Sequence, residues 1–167
     1  MRPIVLFISF LLFSASSYSQ EDLPLFDQHF NDYSENLEDA QSDNKKGIFV
    51  FFFMDDCPFC QKMERQVLNQ KSVKDFYKQH FLNYKINTES TLDLVDFEGN
   101  DTTERIFAKR HNLIGATPVL AFFDLNGKRV VRRTGFANEK EFLLLGQYMA
   151  EKAYLKQNFV RYKRDRR

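Results

Sequence analysis

The chain has 167 residues, 43% of them hydrophobic and 28% charged, the size and balance of one folded domain rather than a disordered tail or two full domains. Its 24 Lys and Arg against 23 Asp and Glu leave no overall footprint for nucleic acid or an anionic membrane. Two cysteines are too few for a multi-disulfide scaffold or, alone, for a four-ligand structural zinc site, and 19 Phe with no Trp predict a phenylalanine-rich core.

Arg2 gives a short positive start, and Ile4 to Phe13 is almost unbroken apolar sequence. Ser17 and Ser19 then stand three before and one before a cut after Ser19. This is the layout of a secretory signal peptide over residues 1–19, with a run too short for a spanning helix; the competing reading is an uncleaved anchor. No Cys follows the cut, which argues against a lipoprotein. Removal of the leader takes away Arg2 and no acid, so the mature chain is formally neutral.

Residues 20–44 carry eight acids and no Lys or Arg. Phe26, Phe30, Tyr33 and Leu37 recur at helical spacing, which predicts an amphipathic helix over residues 25–41. After a turn at Asp43–Gly47, the run Ile48 to Phe53 reads as a central strand buried on both faces. Asp55-Asp56-Cys57-Pro58-Phe59-Cys60 follows, opening a helix to Asn69. Ser72 is placed to cap the next helix, ending near His80. Phe81 to Asn87 reads as a second strand, and residues 88–101 as an insertion loop with a short hairpin around Leu94 to Asn100. Thr102 or Thr103 opens a helix to His111. Pro118 to Phe123 is a third strand, the Asp124-Leu125-Asn126-Gly127 turn leads into a fourth over Lys128 to Thr134, and Asn138 caps a last helix to about Phe159. Residues 161–167, five basic against one acidic, read as a solvated, frayed tail. The order predicts an α/β domain over residues 20–160, a mixed sheet with helices on both faces.

The chemistry concentrates at Cys57 and Cys60. Pro58 suits the first helical position, so the Cys57 sulfur sits over the free N–H groups of a helix start, which favours the thiolate. Cys60, one turn on, is within reach of the same sulfur and can resolve a mixed disulfide formed there. A structural staple is the first alternative, but an i, i+3 bridge closes a tiny loop and adds little stability. A metal site is the second, but His29, His80 and His111 stand at no ligand spacing to the pair. The spacing therefore favours a redox-active disulfide that needs no other cofactor and no metal.

Strand, Cys-x-x-Cys helix, Thr117-Pro118 before the next strand and an Asp-Leu-Asn-Gly-Lys hairpin together resemble the thioredoxin superfamily over about residues 25–160. The stretches Phe52 to Met63, Ala116 to Val119 and Tyr148 to Tyr154 further resemble SoxW-type periplasmic thioredoxins. The resemblance implies a thioredoxin-like fold with a central four- to five-stranded sheet and an exported, periplasmic protein-disulfide reductase. In it Cys57 attacks, Cys60 resolves, and Pro118 is a cis-proline that binds an extended substrate together with Thr117, Pro58 and Phe59. It also implies client proteins with disulfides, a membrane electron donor of the DsbD or CcdA kind, a monomer, and no nucleic-acid partner. An oxidase or isomerase of the same fold, a redox-inert binding module and a metallochaperone remain alternatives.

The chain departs from the family at one point. Six residues before the first cysteine, thioredoxins carry a buried Asp that moves protons for the resolving thiol and pairs with a lysine matched here by Lys85. Phe51 stands at that position. Glu64, one turn beyond Cys60, is the candidate substitute base, with a solvated surface charge as the plain alternative. Asp55 and Asp56 beside Cys57 oppose the helix effect on its ionisation.

Overall fold

The computed structural model describes residues 23–28, 30–112 and 116–166; the leader over residues 1–19 and His29 lie outside them. Among the described residues the helices are α1 (Tyr33–Ser42), α2 (Pro58–Met63, continued by a π-helical stretch Glu64–Leu68), α3 (Lys71–His80), α4 (Glu104–Asn112), α5 (Glu139–Ala150) and α6 (Phe159–Arg164). The strands are β1 (Ile48–Phe53), β2 (Leu82–Asn87), β3 (Asp93–Val95), β4 (Asp101–Thr103), β5 (Val119–Phe123) and β6 (Arg129–Thr134). None of the helices is long and apolar enough to cross a membrane.

β1 organises the domain because both of its faces are covered. Phe49 and Phe51 point into one buried cluster, with Val73 and Tyr77 of α3, Phe142 and Leu145 of α5, and both cysteines. Ile48, Val50 and Phe52 point into the other, with Tyr33 and Leu37 of α1 and Phe107 of α4. Side chains alternate across a strand, so an unbroken apolar run is what a doubly covered strand requires. β1 pairs in parallel with β2 and antiparallel with β5, and β5 pairs antiparallel with β6, giving a mixed sheet in the order β2-β1-β5-β6. The predicted α/β class and central sheet hold. Gly47 precedes β1 because a Cβ there would lie 2.3 Å from the Phe123 carbonyl oxygen.

Four local expectations need correction. The first helix begins at Tyr33 rather than residue 25: Asp32 caps it, accepting from the Ser34 and Glu35 N–H groups, and Asn31 turns the chain with φ 59°. The preceding segment is instead a strap on the sheet edge, with Leu25 buried and Phe30 99% exposed. Ser72 does not cap α3; it is the second residue of that helix, and its exposed hydroxyl donates to Glu139 Oε1 at 2.5 Å. The last helix stops at Ala150, where Lys152 takes a left-handed φ of 54°, and α6 starts afresh with Asn158 accepting from the Arg161 N–H.

The basic tail is correspondingly a packed helix. Tyr162 is 2% exposed, its ring 5.0 Å from that of Tyr148, and its hydroxyl donates to Glu151. Lys163 and Arg133 both reach Glu141, at 2.9 and 3.0 Å. Burial works against the charge on Glu141, but these two hydrogen-bonded cations outweigh it and hold the carboxyl below its ordinary value. The insertion carries the expected hairpin as β3 and β4, and Thr103 accepts from the Ile106 N–H at the start of α4.

Aromatic packing fills the core between α3, α5 and the sheet. Tyr77 and Phe142 stack with centroids 4.2 Å apart, and Phe49 meets both at 5.3 Å. Truncating Phe142 to Ala should cost about 3–5 kcal/mol, the usual penalty for emptying such a site, measured by chemical denaturation. On the other face the His111 ring lies 4.5 Å from Phe107 and 4.9 Å from Phe123. Burial first, then Arg129 and Arg110, against an opposing Asp96, pull its pKa from 6.5 down to about 4. The unfolded chain therefore binds the extra proton between those values, and stability falls as pH drops through that window. His111→Gln should remove on the order of 2 kcal/mol of that acid sensitivity between pH 7 and 4. Parallel stability curves for the two proteins would refute the assignment.

Candidate active site

The strand pairing gathers one end of the sheet into a single surface. Phe53, the last residue of β1, pairs with Asn87 of β2, and Phe52 pairs with Val119 at the start of β5. Val119 in turn pairs with Thr134 at the end of β6. The turn carrying Cys57, the loop after β2, the Thr117-Pro118 step and the Gly135-Phe136 loop therefore share one edge.

Cys57 and Cys60 are joined as a disulfide with their Cα atoms 5.2 Å apart. Cys57 is the N-cap of α2 and Pro58 its first helical residue; the Cys60 N–H donates to Cys57 Sγ at 3.1 Å. A helix start aimed at that sulfur favours negative charge on it once the bond is reduced. Both cysteines are nearly covered, at 4% and 2% exposure, whereas Phe59 between them is 59% exposed. Of the neighbouring acids, Asp55 is held in place: Asn87 Nδ2 donates to Asp55 Oδ2 at 3.1 Å, and Gln61 Nε2 approaches the Asp55 carbonyl at 3.4 Å.

Across the edge, the Thr117–Pro118 peptide is cis, and the Gly135 N–H donates to the Pro118 carbonyl at 2.8 Å. Pro118 is buried, and Thr117 Oγ1 is buried without a hydrogen-bond partner. Lys62 of α2 lies 4.7 Å over the Phe136 ring, tying the redox helix to the loop after β6.

Behind the disulfide, Phe51 of β1 is fully buried and pairs in register with Lys85 of β2. Lys85 has not lost its carboxylate: Nζ lies 3.8 Å from Glu64 Oε1, with the two side chains 48% and 39% exposed. The same ammonium lies 5.2 Å over Phe53 and 5.7 Å over Phe26, a seat made of two rings and one acid. Glu64 begins the π-helical stretch, a distortion common at functional sites. The sequence reading paired neither Phe26, Phe53 nor Asn87 with the site. Their roles depend on strand register and on a strap read as helix, so no local pattern announced them.

His80 packs on Phe76 with centroids 4.5 Å apart, and His111 belongs to the α4 face of the sheet. Among the described residues no group of three or more His, Cys, Asp or Glu is arranged to hold a metal ion.

A mixed sheet wrapped by helices on both faces, with a two-residue-spaced disulfide capping the helix after its central strand, defines a thiol–disulfide redox architecture. The chain belongs to the thioredoxin-like domain family, whose model matches residues 33–150. Among solved structures it is similar to a thioredoxin-fold protein from Helicobacter pylori, at 19% identity and TM-score 0.59, covering 74% of this chain and 88% of that one. It is also similar to a thioredoxin from Thermus thermophilus, at 24% identity and TM-score 0.56 over 72% and 85% of the two chains. The oxidised C-terminal domain of DsbD from Neisseria meningitidis follows at 16% identity and TM-score 0.52, over 68% and 89%. At these identities the likeness is one of fold. No curated protein matches the chain in sequence.

Proposed function

We propose that this protein is an exported, monomeric thiol–disulfide oxidoreductase of the SoxW type that reduces disulfides in extracytoplasmic client proteins. The observation that carries the reading is the Cys57–Cys60 disulfide at a helix start, with the Cys60 N–H on the Cys57 sulfur. In the reduced protein the Cys57 thiolate attacks a client disulfide. A Cys57–client bond forms, the client bond breaks, and the departing client sulfur takes a proton. Cys60 then gives up its proton and attacks the Cys57 sulfur, restoring the Cys57–Cys60 bond and releasing the second client thiol. The client gains two electrons and the pair loses two, so a membrane-borne dithiol donor of the DsbD or CcdA kind must recharge it.

Pro58, Phe59, Thr117 and Pro118 would form the client-binding rim, with Phe59 the exposed apolar contact. Glu64 is assigned as the acceptor of the Cys60 proton through water, and Lys85 as the cation that holds Glu64 in place. The Glu64–Lys85 distance and the absence of an acid at Phe51 support that assignment.

The direction of electron flow is tested by equilibrating the protein against defined thiol–disulfide buffers. A potential near roughly −270 mV is expected; one near roughly −120 to −180 mV would mark an oxidase or isomerase instead. A pair that never exchanges would leave a binding module. Export is tested separately by expressing the full chain in a Gram-negative host. Periplasmic protein should begin at Gln20 by mass spectrometry, and retention of residues 1–19 would overturn the leader assignment.

A further inference from the structure

The strap before α1 lies outside the matched family region, yet its Leu25 joins the buried cluster that holds the redox pair. Leu25 is 4% exposed and belongs to the same apolar cluster as Phe51, Cys57 and Cys60. The Phe26 ring stacks on Phe51 at 6.0 Å and 30°, and Phe51 stacks on Phe53 at 6.3 Å. Phe26 packs against that cluster on one side and, on the other, lines a surface groove of about 460 Å³ with Asp27, Gln28, Phe30 and Lys85. Hydrocarbon from Leu25, Phe26 and Phe51 thus occupies the side on which thioredoxins keep their buried acid.

The strap is clamped rather than merely resting there. The Asp27 N–H donates to the Asn83 carbonyl at 2.8 Å, and Asp27 Oδ2 accepts from the Asn83 N–H at 2.8 Å. Lys78 Nζ adds a contact to Asp27 Oδ1 at 3.3 Å. Asn83 lies two residues before Lys85 on β2, so the clamp sets where the Phe26 ring falls between Phe51 and the Lys85 ammonium.

We propose that the Leu25–Asp27 strap is a seal on the redox centre, which keeps bulk water from the buried side of Cys60 and so slows the step in which Cys60 resolves a mixed disulfide. The proposal rests on the roles given above to Cys57 and Cys60. In that step the Cys60 sulfur bonds to Cys57, the Cys57–client bond breaks, and the client sulfur leaves with the electron pair. The Cys60 proton must depart first, and a thiol among hydrocarbon side chains gives it up reluctantly. With the seal closed the proton leaves by way of Glu64; with it open, water takes the proton directly. Phe26 and Asp27 are in this sense positioning residues, whose effect passes through the cysteine.

Stopped-flow reaction of the reduced protein with a chromogenic peptide disulfide separates attack from resolution. Attack should be lost in Cys57→Ser and resolution in Cys60→Ser. If those two losses fail to appear, the functional reading itself falls. Given both, Phe26→Ala should speed resolution several-fold at neutral pH and leave attack unchanged. Phe26→Leu, which keeps the hydrocarbon cover, should resemble the native protein, while Asp27→Asn, which loosens the clamp, should move towards Phe26→Ala. Adding Glu64→Gln should slow resolution in the native protein and have little effect in Phe26→Ala. Folded Phe26→Ala and Asp27→Asn proteins that resolve no faster than the native one, or equal effects of Glu64→Gln in both backgrounds, would overturn the seal.

Discussion

Strand β1 has no solvent-facing side, and most of what the molecule does follows from that constraint. Alternate residues feed two separate clusters, so the strand holds helices on both faces and cannot shift register without turning each cluster inside out. The turn after Phe53 is therefore rigidly placed, and with it the start of α2 that presents Cys57. The same constraint bears on position 51. A residue there is fully buried, and a carboxylate would need a partner inside the core. This chain fills the site with a phenyl ring, and the carboxylate beside Lys85 is that of Glu64, at the surface.

The consequence is a redox centre with its polar equipment at the surface and hydrocarbon behind it. The buried acid of the wider family combines desolvation with proton traffic at one atom. Here Phe51 and Leu25 lie in the buried cluster that holds both cysteines, Phe26 packs against it, and Glu64 with Lys85 stand at the exposed side. Under the proposals above, the two tasks are divided between them. An ion pair so exposed contributes little to stability, so the fold itself does not depend on it.

What could be read from the chain follows the range of the interactions concerned. β1, the Cys57-Pro58-Phe59-Cys60 helix start and the Asp124–Gly127 turn are written in adjacent residues, and they appear where expected. The first helix was overextended because Phe26 and Phe30 share helical spacing with Tyr33 and Leu37. Contacts far apart in sequence, the hydrogen bonds between Asp27 and Asn83 and the stack of Phe26 on Phe51, place Phe26 at the sheet edge. The last helix was overextended for a similar reason, since nothing in Lys152 itself announces a left-handed residue. At the site, the cysteines were legible from their spacing, and Lys85 and Glu64 were each singled out. Their meeting depends on the β1–β2 register and on the path of the helix after Cys60.

The packed α6 bears on the order in which the molecule is completed. An i, i+3 disulfide needs no distant contact to close, so Cys57 and Cys60 can pair, once an oxidant accepts their two electrons, before α6 has docked. The flank of α5 is different: Tyr148 gains Tyr162, and Glu141 gains its second cation, only when Phe159–Arg164 have docked. A closed Cys57–Cys60 bond is thus no sign that α6 has docked, because the two events share no contact.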